Sequence, residues 1–229
     1  MNIKNNVNYF TKTDTLKYVG IGMAALGFFL YWFGWGWISY LIICTFIPAG
    51  AVLFVVGSSG RANDSDLDEL IEVKMRELDP NLDLDKDYKG RIMKHSETVE
   101  ISGYEYGDGI MVAKMKNGTV RSSKFTKTVI YTLDDALHLT SRSVSLITDD
   151  ECQTNTYEIP FEKIERTELF EETKSIVFNK NSFRVKIVRF VIVMSDGSEL
   201  SFPIHDDMSS ETLVENTNRI ITKFKNSQE

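Results

Sequence analysis

Hydrophobic residues are distributed unevenly along this chain of 229 residues. Between Lys17 and Arg61 lie 43 consecutive residues without a charged side chain. A helix needs roughly 17–25 apolar residues to cross the hydrocarbon core of a bilayer. The segments 16–33 and 36–56 both fall within that range. The pattern therefore predicts two transmembrane helices that form a tight hairpin over residues 16–60.

The segment between the two predicted helices combines glycine with aromatic residues. Gly34 and Gly36 supply the backbone freedom that a turn needs, and the protein's three tryptophans lie beside them: Trp32, Trp35 and Trp37. Tryptophan favours the headgroup level of a bilayer because its ring is apolar while its N–H can donate a hydrogen bond. The three tryptophans are therefore predicted to anchor the turn at one membrane interface.

Basic residues around the hairpin predict its orientation. Lys4, Lys12 and Lys17 precede the first helix and Arg61 follows the second, whereas the turn contains no lysine or arginine. Basic residues are retained on the cytoplasmic side of a membrane. We therefore expect two spans in the cell (inner) membrane, with both termini in the cytoplasm. The polar, asparagine-rich residues 1–15 are predicted to form a flexible cytoplasmic tail.

Two other interpretations of the apolar stretch fit it less well. The sequence Ala49-Gly50-Ala51 resembles a signal-peptide cleavage site, but the apolar region of a signal peptide covers only about 7–15 residues. A buried helix that is apolar on every face needs a larger soluble protein around it.

Small residues inside the hairpin predict close helix packing. Gly20 and Ala24 lie on the first helix, and Gly50 is expected opposite Gly20 on the second. Small side chains let two helix backbones approach within a membrane. These residues are predicted to pack the hairpin internally, and a dimerisation seam with a second chain is the alternative.

Residues 61–90 are predicted to be a linker that contains one amphipathic helix. Its apolar positions recur at helical spacing, and the helix should end before Pro80; they are Leu67, Leu70, Ile71, Met75 and Leu78. The acidic runs 64–68 and 83–87 match the first ligands of an EF-hand loop, but both lack its central glycine and its final glutamate. We therefore expect no calcium site.

From residue 91 onward, apolar residues alternate with polar ones, which is typical of strands. Asn117-Gly118 and Asp196-Gly197 predict tight hairpin turns, and a helix is expected to begin at Ser209 or Ser210. The predicted strands cover residues 98–106, 110–116, 119–120, 127–133, 136–142, 144–148, 156–159, 164–170, 175–178, 183–194 and 199–204.

Three strand segments and the closing helix resemble the bacterial pleckstrin-homology-like (PH-like) domains, several of which follow short hydrophobic hairpins. These segments are Val-Ile-Tyr-Thr at 129–132, Leu-His-Leu-Thr at 137–140 and Ile-Pro-Phe-Glu-Lys-Ile at 159–164. The resemblance covers about residues 125–225 and leaves 98–123 as extra strands or an embellishment. It implies a PH-like domain at 91–229, a mostly antiparallel β barrel or sandwich of about seven strands capped by a C-terminal helix. The expected fold class is a membrane-anchored α+β protein.

Composition and motifs argue against several functions. The net charge is −7, whereas a nucleic-acid-binding domain carries a basic face. A glycine-rich phosphate loop, a Gly-x-Ser-x-Gly elbow and a His-Glu-x-x-His motif are missing from the sequence. Cys44 and Cys152 are predicted in different environments and the three histidines are scattered, so we expect neither a disulfide nor a metal site. An enzyme, a cofactor and a small-molecule substrate are not expected, and the resemblance implies no catalysis.

Two basic runs are the candidate binding residues. They are Lys114, Lys116, Arg121 and Lys124 in the first run, and Lys180, Arg184 and Lys186 in the second. Clustered basic residues bind an anionic leaflet with about 1 kcal/mol each. The first hypothesis is a non-enzymatic membrane-tethered scaffold whose PH-like domain binds a protein partner or its own copies, since some PH-like relatives form ring oligomers. The alternative is a reader of anionic lipid headgroups.

Overall fold

The computed structural model describes residues 3–12, 14–32, 36–76, 98–148, 152–178, 181–205 and 209–228. The chain divides into two compact units, residues 2–63 and 64–229. The helix that the sequence places in a linker belongs to the second unit, together with the strands. Trp35, Lys180, the acidic run 83–87 and the predicted helix end before Pro80 lie outside the described residues.

Two consecutive helices of the first unit are long and apolar enough to cross a membrane, as predicted. They are α2 (Thr15–Trp32) and α3 (Trp37–Ser58). A Cβ atom added to Gly20 would lie 2.6 Å from the carbonyl oxygen of Gly50, and one added to Gly50 would lie 2.9 Å from the backbone nitrogen of Ala24. The two backbones therefore touch at these small residues. Gly27 and Gly57 make equally close contacts that the sequence analysis did not single out.

The N-terminal residues form a helix where the sequence analysis expects a flexible tail. Helix α1 (Ile3–Thr11) buries Asn6 and Phe10. The Lys12 ammonium group donates to the Ser59 carbonyl at 2.9 Å, near the end of α3. Further links are Asn8 Nδ2 to the Gly60 carbonyl at 2.8 Å, Ala62 N to the Asn5 carbonyl at 3.1 Å and an ion pair between Arg61 and Asp14 at 2.6 Å. These contacts do not follow from the sequence, because the partners are distant in the chain and several of them are backbone carbonyls.

The second unit begins with a helix, continues through strands and ends with a helix. Helix α4 spans Asp64–Arg76 and helix α5 spans Ser209–Gln228. The strands among the described residues are β1 (Val99–Tyr104), β2 (Val112–Lys114), β3 (Val120–Ser122), β4 (Lys124–Thr132), β5 (Ala136–Ser145), β6 (Gln153–Pro160), β7 (Ile164–Phe178), β8 (Asn181–Met194) and β9 (Glu199–Ile204).

These strands form three antiparallel sheets. The first has the order β1-β4-β5-β6, the second pairs β2 with β3, and the third has the order β7-β8-β9. Alternate residues of the first and third sheets join one hydrophobic core with α5, which contributes Leu213 and Ile221. The mostly antiparallel sheets and the closing helix confirm the predicted α+β layout.

Strand β1 is an integral part of this core, not an embellishment. It pairs with β4 over its whole length and places Ile101 in the core. At its far edge the His205 amide donates to the Ser102 carbonyl at 2.8 Å, so β1 also contacts the end of β9. A Cβ on Gly103 would lie 3.0 Å from the Ile204 nitrogen, tighter than most real Cβ contacts, so a larger residue here would push the strands apart by a few tenths of an ångström.

Two other strand predictions need correction, whereas the predicted turns are confirmed. Residues 144–148 do not form a separate strand, because β5 continues to Ser145. The predicted strands 164–170 and 175–178 are one strand of 15 residues, β7. Gly118 and Gly197 adopt φ angles of 93° and 82° in the hairpin turns where the sequence places them.

Candidate functional site

Arg121 links α4 to the strands through hydrogen bonds and an ion pair, and it is not part of an exposed basic surface. Its side chain is only 1% exposed. Nη1 donates to the Asp64 carbonyl at 3.0 Å, Nη2 pairs with the Asp68 carboxylate, and the guanidinium lies 5.7 Å from the centre of the Tyr104 ring. Burying a guanidinium is costly unless it is paired, and α4 supplies both partners. Arg121 is therefore unavailable to an anionic ligand, contrary to the sequence prediction.

Apolar contacts complete the attachment of α4. Leu67 is fully buried and Met75 is 6% exposed. The Asp64 carboxylate accepts a hydrogen bond from the Lys116 amide at 3.2 Å, and Lys74 donates to the Ser145 carbonyl at 3.4 Å. The run 64–68, weighed as calcium ligands, thus forms the first turns of a helix and supplies acceptors to Arg121 and Lys116.

The remaining predicted basic residues are divided among separate elements. Lys114 and Lys116 are exposed at the β2–β3 hairpin, and Arg184 is exposed on β8 opposite Ser175. Lys124 pairs with Glu105 at 2.7 Å and Lys186 pairs with Glu171 at 3.2 Å. Two of the cations proposed as headgroup ligands therefore already have carboxylate partners.

Glu105 is the centre of a polar network between β4 and β5. Besides Lys124, its carboxylate accepts hydrogen bonds from Thr126 and from Ser143, the latter at 3.2 Å. Burial raises the pKa of Glu105, but the hydrogen bonds from Lys124, Thr126 and Ser143 and the Lys124 charge outweigh it and leave the pKa lowered. Glu105 is therefore a charged structural group that orders this end of the sheet.

Two tyrosines beside this network are protected from ionisation. Burial raises the pKa of Tyr104, and the nearby Arg121 charge offsets part of that effect. Burial, with a smaller contribution from Tyr104, raises the pKa of Tyr106 to about 12. The Tyr106 hydroxyl donates to the Val120 carbonyl at 2.8 Å. Both phenols are thus neutral near neutral pH, and Tyr106 is a structural hydrogen-bond donor.

His138, which alternates with Leu137 and Leu139, is buried at 3% exposure. Its ring lies 5.9 Å from the Tyr131 ring. Because Leu137 and Leu139 belong to the hydrophobic core, His138 points to the opposite face of β5. The side chain is a packed group rather than a solvent-facing one.

A cleft lies between α4 and the outer face of β1 and β4, within the described part of the second unit. Its volume is about 480 Å³. One wall is a stripe of α4 at positions i, i+3, i+4 and i+7, and the other wall consists of alternate residues of the two paired strands. The lining residues are Asp68, Ile71, Glu72 and Met75 from α4, and Glu100, Ser102, Tyr104, Phe125 and Lys127 from the strands.

The floor of this cleft is apolar and its rim is charged. The Tyr104 and Phe125 rings are in edge-to-face contact, with centroids 5.2 Å apart, and they lie directly opposite each other in the β1–β4 register. Glu100 pairs with Lys127 across the strands at 2.7 Å. We call these nine lining residues the α4 cleft.

The α4 cleft does not follow from the sequence pattern. The pattern places Ile71 and Met75 on the apolar stripe of a helix and Tyr104 within the predicted strand 98–106. The pairing of β1 with β4 was the missing information, because it brings together residues more than twenty positions apart. The alternate positions Glu100, Ser102 and Tyr104 are the local sign of a strand with one face outside the core.

The tryptophan positions are only partly described. Trp32 and Trp37 are 79% and 72% exposed at the ends of α2 and α3 that face the turn.

Comparison of the chain with protein-family models, with curated proteins and with solved structures found no match.

Proposed function

We propose that this chain is a non-enzymatic, membrane-tethered interaction module whose unit 64–229 binds a protein partner or further copies of itself. The observation that carries the proposal is the distribution of charge. Residues 1–63 contain four basic and one acidic side chain, a net charge of +3. Because the whole chain has a net charge of −7, residues 64–229 have a net charge of −10. A strongly acidic domain favours basic protein surfaces and is repelled by an anionic lipid leaflet. Binding of a second copy would have to overcome the same repulsion, so the charge supports a basic protein partner first.

The tether is the α2–α3 hairpin, with both termini in the cytoplasm. In support, large apolar side chains cover the outside of both helices: Tyr18, Val19, Ile21, Leu26, Phe28, Phe29, Leu41, Val52, Phe54, Val55 and Val56 are all at least 39% exposed. Soluble proteins rarely expose a contiguous apolar surface of this kind. Lys12, Lys17 and Arg61 lie at the ends of the hairpin opposite the turn, where the positive-inside rule places the cytoplasm.

We further propose that residues 64–229 have a PH-like fold. The support is topological: a four-stranded and a three-stranded antiparallel sheet share one core, and a C-terminal helix packs into it. The β2–β3 hairpin is then an insertion between the first two strands of the four-stranded sheet, and α4 is an addition before them.

The strand faces carry little net positive charge, which favours a protein partner over lipid. Lys124, Lys127 and Lys186 each have a carboxylate at 2.7–3.2 Å that offsets their charge, and Arg121 is buried. Exposed lysines at sheet edges also prevent aggregation, which accounts for Lys114 and Lys116 without a ligand.

The test is the mass of the complex extracted from native membranes in a mild detergent. The proposal predicts a defined oligomer of the 26.2 kDa chain or a complex with a stoichiometric protein partner. A homogeneous monomer without any bound protein contradicts it.

The exposed cations Lys114, Lys116 and Arg184 support one alternative, a reader of anionic headgroups. Hydrogen exchange of the full chain in nanodiscs separates the two functions. A lipid reader shows slower exchange at the β2–β3 hairpin in anionic than in zwitterionic nanodiscs, and salt reverses the difference. The interaction module shows equal exchange in both.

A further inference from the structure

The α4 cleft has the shape and chemistry of a docking groove. Its volume of about 480 Å³ can hold a few side chains of a bound segment. Ile71 from the helix lies across from the Tyr104–Phe125 pair of the strands, whereas Met75 lines the cleft but is only 6% exposed. The accessible surface is therefore mainly aliphatic and aromatic, and aromatic side chains are common at protein-binding surfaces.

The helical wall of the cleft is acidic. Helix α4 contains five carboxylates and two basic side chains. Glu72 and Asp68 line the rim with side chains that are 71% and 59% exposed, and Glu100 on the opposite wall is 46% exposed.

Each rim carboxylate already has a cationic neighbour, but these pairs leave the oxygens accessible. The Glu72–Arg76 pair is fully at the surface, where an ion pair contributes only about 0–1 kcal/mol and can be shared with a second cation. The net charge of −10 on residues 64–229 adds a long-range field that attracts cations to this wall.

Resting on the function proposed above, we propose that the α4 cleft is the site that binds the protein partner, and that its ligand is a basic amphipathic segment. Apolar side chains of that segment enter between α4 and the β1–β4 pair, and its lysine or arginine residues contact Glu72 and the neighbouring carboxylates on the rim. This is the helix-in-groove mode of peptide recognition, in which a few apolar anchors provide affinity and flanking charges provide specificity.

The probe is a fluorescent amphipathic peptide of leucine and lysine, about 14 residues or four helical turns long. Binding is measured by fluorescence anisotropy on the full chain in zwitterionic nanodiscs, after subtraction of the signal from protein-free nanodiscs. A peptide with glutamate in place of every lysine controls for the charge. We expect saturable binding of the lysine peptide and weak binding of the glutamate peptide.

Two variants and one matched control locate the binding. Glu72→Lys reverses a rim charge, and Ile71→Ala removes part of the apolar wall; each should weaken peptide binding roughly tenfold. Glu69→Lys makes the same charge change on the same helix, at an exposed residue that does not line the cleft, and should weaken binding less than about twofold. Hydrogen exchange of α4 verifies that each variant keeps the helix attached.

Three results overturn the assignment. They are no saturable binding of the lysine peptide, equal weakening by Glu69→Lys and Glu72→Lys, and unchanged binding in both cleft variants. A wrong assignment of the binding site to the α4 cleft can be distinguished from a wrong proposed function. If native extraction yields a stoichiometric complex that Glu72→Lys and Ile71→Ala leave intact, the chain is an interaction module that uses a different surface.

Discussion

The contact between Arg121 and Asp68 should determine how firmly α4 is held on the strands. Arg121 is 1% exposed and Asp68 is 59% exposed, so the pair is buried on one side only. Removing one partner of a fully buried pair costs about 3–5 kcal/mol. Since water reaches Asp68, the appropriate scale is that of a hydrogen bond to a charged group, about 1.5–3 kcal/mol.

We predict that Asp68→Asn lowers the free energy of local opening of α4 by about 1.5–3 kcal/mol. With a factor of ten for every 1.4 kcal/mol, amide exchange of α4 should be roughly 10- to 150-fold faster. The measurement is hydrogen-exchange mass spectrometry of the full chain in nanodiscs, under conditions in which exchange reports the opening equilibrium. The tryptophans are unsuitable reporters because all three lie in the hairpin region.

Glu72→Gln is the matched control for this experiment. Glu72 lies one helical turn later and pairs with Arg76 at the surface, with exposures of 71% and 73%. The loss of such a pair costs about 0.3–0.5 kcal/mol, so exchange should change about twofold. Unchanged exchange in Asp68→Asn, or equal acceleration in both variants, would refute the role given to Arg121.

Three further outcomes are expected. Gly20→Ala should destabilise the hairpin by about 1–3 kcal/mol in detergent melting curves, because its Cβ would lie 2.6 Å from backbone atoms, whereas Gly22→Ala, with nothing within 4 Å, should be neutral. Because the pKa of Glu105 is lowered, its ionised carboxylate stabilises the fold at neutral pH, and this contribution is lost as the pH falls below 4.5. The difference in the free energy of unfolding between wild type and Glu105→Gln should therefore shrink in acid. A constant difference would contradict the network. Burial raises the pKa of Tyr106 to about 12, so above pH 10.0 the phenol ionises in the unfolded chain while it stays neutral in the folded one, and the free energy of unfolding should fall. Tyr106→Phe should remove one phenol titrating near 12 in ultraviolet absorbance.

Local chemistry explains which parts of the fold the sequence predicts. The apolar length of α2 and α3, the Asn117-Gly118 and Asp196-Gly197 turns and the start of α5 at Ser209 each follow from residues that are close together in the chain. The continuity of β7 was missed because Glu171, Glu172 and Lys174 interrupt the apolar alternation. The register shows that β7 nevertheless pairs with β8 through all three positions.

The candidate site depends on contacts that are distant in sequence. Arg121 was counted with the surface cations because its charge is visible in the sequence, whereas its partners Asp64 and Asp68 lie more than fifty residues earlier. The α4 cleft likewise requires the β1–β4 register and the docking of α4. Neither follows from spacing within one segment.

The location of unit 64–229 is the claim on which both proposals depend. Cys152 is partly exposed on that unit and Cys44 lies within α3. The test labels a Cys44→Ser variant in intact cells with a thiol reagent that cannot cross membranes. A cytoplasmic domain behind a two-span hairpin predicts that Cys152 reacts only after the membrane is permeabilised. Labelling of Cys152 in intact cells would contradict the account.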